Sequence, residues 1–290
     1  MKKVVSVFLA AVLLTSVCAA FAIEKGESRA VIGADISAEQ KAAVYSSFGV
    51  EQGAVSELTV TNAEERSYLD GLVDPSIIGT RSISCVYIEI LGEGDGLEVS
   101  TSNISWCTKD MYINALVTAG IDDAKVIVTS PISGISGTAA LTGIYKAYED
   151  ITGQQLDEVA KLAGTQELVI TAELADEIGS YDAVLIVNEL KLILDQTVNM
   201  TDDEVRAEIE YVADQYDITV SEGQKDQLVK LCRSLEKLNP EQLKEKVESV
   251  QNTLKKLASA KETAANVSES VKKFFDAVSN FFAKLFSKEK

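Results

Sequence analysis

Histidine is absent from the 290-residue chain, and this absence removes several classes of active site. Ser-His-Asp and Cys-His nucleophile systems, the usual zinc sites and histidine general bases all require an imidazole. An enzyme with this sequence would have to use paired carboxylates, a Ser-Lys dyad or calcium. Since the chain carries no recognised nucleophile, metal or cofactor motif, we predict no catalytic residue, no metal ligand and no cofactor, and we favour a non-enzymatic role.

Long hydrophobic runs are also missing, because no segment after the N-terminus has about 18 uninterrupted apolar residues, the length that a membrane-spanning helix needs. The N-terminus has the three parts of a secretory signal: Lys2 and Lys3, an apolar run from Val4 to Leu14, and small residues up to Ala22. We predict a signal peptide at residues 1–22 and a secreted, extracellular protein. A peripheral position on the outer face of the cytoplasmic membrane is compatible with the same prediction.

Cysteine is scarce, and only Cys85, Cys107 and Cys232 remain after the signal segment. They are odd in number, widely spaced and without a CxxC pair, so they do not indicate a disulfide framework. A hairpin between two neighbouring β-rich segments would place Cys85 opposite Ser102 and leave Cys107 beyond bonding range. We predict buried free thiols, in line with the general burial of cysteine.

Basic residues are few through most of the chain. Residues 23–224 contain 11 Lys and Arg against 36 Asp and Glu, a net charge of −25, whereas residues 225–290 contain 14 against 9, a net charge of +5. An acidic body of this kind repels nucleic acid phosphates, so we predict no nucleic acid partner. Its self-repulsion favours a monomeric body.

The first part of the chain alternates β-like runs with short amphipathic helices. Strands are predicted for SRAVIGAD, SELTVTN, SISCVYIEIL, LEVSTSNISW and AKVIVT. The third and fourth, joined by the turn GEGDG, form a predicted hairpin. Ser37, with Gln40 three residues later, and Thr108 are predicted to begin helices. The pattern indicates an α+β domain with a mixed sheet over residues 23–131.

Beyond the last predicted strand the pattern is helical almost throughout. We predict a helical region packed on the sheet domain over residues 132–238, and a helical hairpin with a Phe-rich amphipathic tail over residues 239–290. Capping boxes at TDDE (201–204) and SEGQ (221–224) begin two of these helices. Apolar residues at coiled-coil spacing support the hairpin, namely Leu228, Leu231, Leu235 and Leu238 before Asn239-Pro240, and Leu243, Val247, Val250, Leu254 and Leu257 after it.

A loop rich in serine and glycine, SPISGISGT (130–138), lies between a predicted strand and a predicted helix. It resembles a phosphate-binding loop, because free amides at a helix start attract anions. It lacks the Gly-Lys-Ser/Thr signature of nucleotide-binding loops, so we interpret it as structural, with Ser136 or Thr138 as the helix cap. Small residues would let this helix pack closely on the sheet, namely Gly137, Ala139, Ala140 and Gly143.

Acidic residues supply the alternatives that involve metal or catalysis. Those in the glycine-rich turn could bind calcium, but their spacing fails the EF-hand template, and a solvated turn is the better interpretation. These residues are Glu93, Asp95 and Glu98. A second set could work together only if the fold unites them, namely Asp35, Asp110, Glu149 and Asp150. The alternative function is therefore an extracellular hydrolase that uses carboxylates or calcium.

The C-terminal segment holds five of the eight phenylalanines of the chain. At about 100° per residue its apolar side chains fall on one helix face with lysines at its flanks, the composition of a helix that lies in a membrane surface. The residues predicted to contact a membrane or a partner are Phe274, Phe275, Val278, Phe281, Phe282, Leu285 and Phe286, with Lys272, Lys273 and Lys284. Packing of this face on the protein itself is the alternative.

Two segments resemble a known family: VIGADIS, which begins at Val31, and SNISWCTKDMYINALVTAGIDDAKVIVTSPISGISGTAALTGIYKAYE, which begins at Ser102. They are similar to the YpuA-like family of exported Gram-positive proteins, known as a domain of unknown function, and the resemblance extends from Val31 to Leu235. It implies export and one shared architecture, and it implies no activity. Our hypothesis is an exported, non-enzymatic protein that associates with the cell-envelope surface, or with an envelope protein, through its C-terminal amphipathic helix.

Overall fold

The computed structural model of the protein describes residues 25–248. The predicted signal peptide and the C-terminal amphipathic segment lie outside the described residues. Within them, a mixed sheet and its covering helices form the first half, and helices dominate the second half. This arrangement confirms the predicted α+β class.

The sheet contains five strands within the described range. They are β1 (Ser28–Gly33), β2 (Ser56–Val60), β3 (Cys85–Ile90), β4 (Leu97–Ser102) and β5 (Ala124–Thr129). Their order across the sheet is β2-β1-β3-β5-β4. Strand β1 pairs in parallel with β2, β4 pairs in parallel with β5, and β3 is antiparallel to both β1 and β5. Four strands therefore run in one direction, and β3 runs against them.

The predicted hairpin between β3 and β4 is wrong, because β5 lies between these two strands. Thr129 of β5 pairs with Cys85 on one side and with Ser102 on the other. Strand β3 is apolar at nearly every position, and a strand buried on both faces needs two neighbours. Strand β4 alternates half-buried and exposed residues, which suits an edge position. The parallel β4–β5 pair is connected by a crossover helix, as parallel strands require.

Ten helices connect and cover the strands in the described part of the chain. They are α1 (Ala38–Phe48), α2 (Asn62–Leu69), α3 (Pro75–Ile78), α4 (Lys109–Ala119), α5 (Thr138–Thr152), α6 (Glu158–Ile178), α7 (Ser180–Leu192), α8 (Leu194–Thr197), α9 (Asp202–Gln215) and α10 (Glu222–Leu235). Residues 240–248 are also helical. Between residues 25 and 248, no helix combines the length and the hydrophobicity needed to cross a bilayer.

The predicted helix starts are confirmed where the signal is local. Ser37, Thr108, Thr201 and Ser221 each cap a helix, and each accepts a hydrogen bond from the backbone N–H three residues later. The side chain of that third residue in turn accepts from the backbone of the cap residue. Each reciprocal pair satisfies two backbone donors that would otherwise have no partner within the helix.

Helices cover both faces of the sheet. Helices α4 and α5 pack on the face that carries Val31, Val86 and Val128, whereas α1 packs on the face that carries Ala30 and Tyr87. Close packing of α5 depends on its small residues, as predicted. A Cβ atom at Gly143 would lie 3.2 Å from the side chain of Val31.

A separate helical core joins α6, α7, α9 and α10. Leu228, Leu231 and Leu235 are buried in it, and so are Leu243 and Val247 of the following helical segment. The remaining positions of the predicted apolar stripe, residues 250, 254 and 257, lie outside the described residues. The division into domains at residue 131 and the hairpin over residues 239–290 stay predictions.

All three cysteines are buried and free, which confirms the prediction for the thiols. Burial raises the pKa of Cys85 to about 11 and the pKa values of Cys107 and Cys232 to about 12. Since the thiolate is the reactive form, these cysteines have the character of core residues and not of nucleophiles.

A buried ion pair joins the sheet-covering helix α4 to the helical half. Lys191 of α7 donates to Glu167 of α6 over 2.8 Å, and neither side chain is more than 1% exposed. Thr118 of α4 donates to the second carboxylate oxygen of Glu167, and the Lys191 ammonium group lies 3.3 Å from the carbonyl oxygen of Asn114. Because an unpaired buried charge is strongly destabilising, these contacts favour a single register of the three helices.

Replacing Lys191 with methionine is expected to lower the free energy of unfolding by about 3 to 5 kcal/mol, because it leaves the Glu167 carboxylate buried without a counter-charge. Urea denaturation followed by circular dichroism measures this loss. The double variant K191M/E167Q removes both charges and keeps an oxygen that can accept from Thr118. It is expected to recover much of the loss.

The exposed pair between Lys25 and Asp95, whose charged atoms are 2.7 Å apart, provides the control. K25M removes the same kind of contact where solvent hydrates both charges, so it should change stability little. Equal losses for K25M and K191M would contradict a special role for the buried pair.

Candidate binding cleft

A cleft of about 410 Å³ lies at one end of the sheet. One wall is formed by residues 76–84, which lead from α3 into β3, and the other by residues 103–107 and the 130–138 loop, which follow β4 and β5. The cleft thus lies at the carboxyl ends of β4 and β5. The lining residues are Glu65, Ser76, Ile77, Ile78, Gly79, Thr80, Arg81, Ile83, Ser84, Ser105, Trp106, Gly134, Ile135, Ser136, Thr138 and Ala139.

The first wall is held by contacts that begin at α3. Asp74 caps this short helix and accepts from the backbone N–H of Ser76 over 2.8 Å, with Pro75 at the first helical position. Arg66 of α2 then donates to the carbonyl oxygen of Gly79 over 2.6 Å. These two contacts fix the path of the chain before it enters β3.

The second wall is held by backbone contacts between the ends of β4 and β5. The backbone N–H of Ser105 donates to Ile135 over 2.9 Å, and that of Cys107 donates to Ser136 over 3.0 Å. The Tyr112 hydroxyl donates to the carbonyl oxygen of Gly137 over 2.6 Å. Gly137 has a φ of 97°, and a Cβ atom there would lie 2.5 Å from the Tyr112 hydroxyl, so this position requires glycine.

Neither Ser136 nor Thr138 caps α5, so that prediction is wrong. The N-cap is Gly137, which has no side chain to accept a hydrogen bond. The Ser136 hydroxyl instead donates to the carbonyl oxygen of Ile77 over 3.2 Å, and the Thr138 hydroxyl donates to Glu65 over 2.6 Å. Both hydroxyls link the loop to α2 and α3 across the cleft, contacts that local sequence does not indicate.

Glu65 is the main ionisable group of the cleft and is only 1% exposed. One carboxyl oxygen accepts from Thr138 over 2.6 Å, and the other accepts from Asn62 over 3.3 Å. No ion pair to Glu65 is found within residues 25–248. Burial raises its pKa, and the two hydrogen bonds oppose that rise only in part. A buried carboxyl group with a raised pKa in a cleft is a common mark of a functional site.

The Glu65 contact also bears on the phosphate-loop alternative. A carboxyl group of the protein itself is hydrogen-bonded to Thr138, the first residue of α5. An anionic ligand at this helix start would have to approach that carboxyl group. The geometry therefore disfavours phosphate binding here.

Two further side chains give the cleft its character. Ser84 is 2% exposed and lines the cleft. Trp106, the only tryptophan of the chain, lines the same cleft, and its indole N–H donates to Asp176 over 2.9 Å. The Asp176 contact restricts the orientation of the ring.

The acidic residues of the glycine-rich turn, which were an alternative calcium site, are not gathered into a metal site in the described part of the chain. Asp95 accepts from the Lys25 ammonium group over 2.7 Å and from the backbone N–H of Gly92 over 2.9 Å. No cluster of three or more His, Cys, Asp or Glu suited to a metal ion occurs in the described range. Glu93 and Glu98 share neither of the Asp95 contacts.

Three of the four candidate catalytic carboxylates have separate partners. Asp35 accepts from the backbone N–H of Ser82 over 2.7 Å. Glu149 accepts from Lys161 over 2.8 Å, and Asp150 accepts from Arg29 over 2.6 Å. Burial raises the pKa of Asp110. None of these contacts joins two of the four side chains.

The sequence patterns indicated part of this cleft and missed the rest. They singled out the loop with Ser136 and Thr138, but not Glu65, Ser84 or Trp106. Helical spacing could have identified Glu65, because it lies four residues before the buried Leu69 and therefore on the same face of α2. The ten residues predicted to contact a membrane or a partner, residues 272–286, lie outside the described residues.

Replacing Glu65 with glutamine is expected to change how stability depends on pH. Burial raises the pKa of Glu65 in the folded state, so the protonated group contributes stability below the ordinary glutamate pKa of 4.5. That contribution is lost as the pH rises through the folded-state pKa. The melting temperature of the wild type should therefore fall relative to that of E65Q between about pH 4 and pH 8.

The neighbouring Glu64 supplies a control of opposite sign. Burial alone would raise its pKa, but hydrogen bonds from Lys146 and Thr61 outweigh burial and lower it. Its contribution is present above the ordinary glutamate pKa and is lost as the pH falls, so the wild type should gain stability relative to E64Q as the pH rises. The same pH trend for both variants would contradict the assignment of Glu65.

The family model described as protein of unknown function (DUF1002) matches residues 32–273. The chain is also 35% identical over 292 residues to a Bacillus subtilis (strain 168) protein described as uncharacterized protein YpuA, with 99% of this chain and 100% of that protein covered. No solved structure matches the chain. These findings confirm the family resemblance of the two sequence segments. The chain belongs to the DUF1002 family of proteins of unknown function.

Proposed function

We propose that this protein is exported, is non-enzymatic, and associates with the cell-envelope surface, or with an envelope protein, through its C-terminal amphipathic helix. The observation that carries the proposal is the concentration of phenylalanines in residues 274–286. Neither the family nor the described residues indicate an enzymatic activity. The predicted signal peptide supports export, and the acidic body supports a monomer that does not bind nucleic acid.

The phenylalanines favour contact with something outside the body. Complete burial of one phenylalanine side chain is worth about 1.5 to 3 kcal/mol, so five such side chains on one face are costly to leave in water. Phe48, the one phenylalanine between the signal segment and the tail, is buried against the sheet. Lys272, Lys273 and Lys284 flank the tail face, as in helices that bind anionic bilayers.

The described surface offers little apolar area on which the tail face could pack. The exposed large apolar side chains of residues 25–248 are Ile132, Val159, Leu162, Val198 and Tyr211. Val159 and Leu162 are one turn apart on α6, and they are the one pair of these residues on a single helix. Within residues 25–248, two partly exposed aliphatic side chains are too small a surface for five phenylalanines, which supports a membrane or a protein partner.

The charge distribution also supports attachment through the tail. The body carries a net charge of −25 over residues 23–224, whereas residues 225–290 carry +5. Lys246, near the end of the described residues, pairs with Asp122 over 2.9 Å, and Leu243 and Val247 are buried in the helical core. The described chain is therefore held on the body close to its end at residue 248. An anionic surface would attract the tail and repel the body.

Co-sedimentation of the chain from residue 23 onward with anionic liposomes tests the proposal. The double variant F275D/F282D places two carboxylates on the apolar face, and we expect its affinity to fall by about tenfold or more per phenylalanine removed. The matched control N280D/S287D adds the same two charges to the polar face. It should retain most of the binding, and raised salt should weaken the wild type.

Two results would overturn the proposal. One is the absence of binding by the wild-type chain to both anionic liposomes and envelope extracts. The other is an equal loss for F275D/F282D and N280D/S287D, because net charge alone would then account for the binding. Binding to envelope extracts without binding to liposomes would support the protein partner.

A further inference from the structure

We propose that the cleft between residues 76–84 and the 130–138 loop binds an uncharged saccharide, recognised through the hydroxyl groups of the ligand and the apolar face of a sugar ring. This site is independent of the C-terminal helix. If the tail anchors the protein at the envelope, the cleft is what the body presents there.

The dimensions of the cleft suit a small ligand. Its volume of about 410 Å³ lies within the range of about 300 to 1,000 Å³ that is typical of small-molecule sites. Hydrogen bonds from the side chains of Asp74 and Arg66 hold the first wall and backbone hydrogen bonds hold the second, so the site is formed before a ligand arrives. A preformed site loses little conformational entropy on binding.

Hydroxyl groups dominate the polar part of the lining, and they set the chemical class of the ligand. A serine or threonine hydroxyl can donate one hydrogen bond and accept others, as can the hydroxyl of a sugar. Ser84 is the most deeply placed of them, since it is nearly buried and lines the cleft. The hydroxyl side chains in the lining are Ser76, Thr80, Ser84, Ser105, Ser136 and Thr138.

Glu65 disfavours anionic ligands and favours ligands that carry hydroxyl groups. Its carboxyl group and the acidic body disfavour phosphates and other anions, and the Arg81 side chain, which also lines the cleft, donates to the carbonyl oxygen of Asp35 over 2.8 Å. Each Glu65 oxygen has one hydrogen-bond donor, Thr138 or Asn62, and a carboxyl oxygen can accept a second hydrogen bond. The free acceptor capacity suits neighbouring hydroxyl groups on a ligand.

Trp106 supplies the apolar surface. Its indole N–H is bonded to Asp176, so it is not free to bond a ligand, and the ring remains as an apolar surface of the cleft. Ile77 and Ile135 lie in the same lining. A saccharide has both hydroxyl edges and a C–H face, and it can use the hydroxyl residues and these apolar residues together.

The backbone of the two walls disfavours an extended peptide. Peptide recognition by strand addition needs free backbone N–H and C=O groups at an edge. The N–H and C=O of Ser82 are bonded to the side chain and the N–H of Asp35, and those of Ile135 to Asn103 and Ser105. These backbone groups are not free for a ligand. The hydroxyls that donate to other groups of the protein keep their acceptor capacity, namely those of Ser76, Ser105, Ser136 and Thr138.

Fluorescence of Trp106 provides a direct test, because no other tryptophan contributes to the signal. The chain from residue 23 onward is titrated with cellotetraose, maltotetraose, mannotetraose and chitotetraose, with inorganic phosphate and tetra-alanine as the comparison ligands. We expect a saturable change with at least one oligosaccharide and none with phosphate or tetra-alanine. Calorimetry should give the same Kd.

Substitution of Ser84 then locates the binding. S84A removes the hydroxyl without adding bulk and should weaken binding by about fivefold or more. S84L should abolish it, provided that circular dichroism shows the variant folded. S47A and S47L are the matched controls, since Ser47 is exposed on α1 at the other face of the sheet, and they should bind as the wild type does.

Several outcomes would overturn the saccharide site. They are no saturable change with any of the four oligosaccharides, equal effects of S84A and S47A, and saturable binding of phosphate or tetra-alanine instead. The two proposals can fail separately. F275D/F282D should retain oligosaccharide binding, and S84A should retain liposome binding.

Discussion

The ion pair between Lys191 and Glu167 is the contact on which the arrangement of the molecule depends. It joins α7 to α6, and the hydroxyl of Thr118 extends it to α4, which packs on the sheet. Hydrophobic packing alone would tolerate small shifts between helices, whereas a buried charge tolerates no loss of its partner. We infer that this polar contact selects the register in which the helical half meets the sheet.

In this register the backbones of α4 and α6 approach each other closely. A Cβ atom at Gly164 of α6 would lie 2.6 Å from the carbonyl oxygen of Ala115 in α4, so no larger residue fits at this crossing. The beginning of α4 in turn positions the cleft, because Cys107 and Tyr112 hold Ser136 and Gly137 of the loop. The core thus positions α4, and α4 positions the cleft.

Under the two proposals, the protein binds a ligand in its cleft and attaches to a surface through its tail. The cleft combines a carboxyl group, a guanidinium group, several hydroxyls and an indole ring, a composition that suits a polar ligand. A tail that attaches to a surface would present this cleft at a defined place.

Sequence patterns predicted the structure correctly where the two partners of a hydrogen bond lie within a few residues of each other. Ser37 and Gln40 form a capping box because both partners lie in one turn, whatever the rest of the fold does. The β3–β4 hairpin failed because a strand takes the neighbour that buries it best. That neighbour, β5, reaches its place through α4, so proximity in sequence was misleading.

The sequence by itself determined the four helix starts that have capping boxes, the buried thiols, the acidic body with its basic end, and the family. Each of these depends on composition or on spacing within a turn. Only the tertiary structure decided the strand order and the burial of Glu65 beside Thr138, a residue 73 positions away. Burial of a charge depends on which distant segments exclude water from it, and that competition is settled when the whole chain packs.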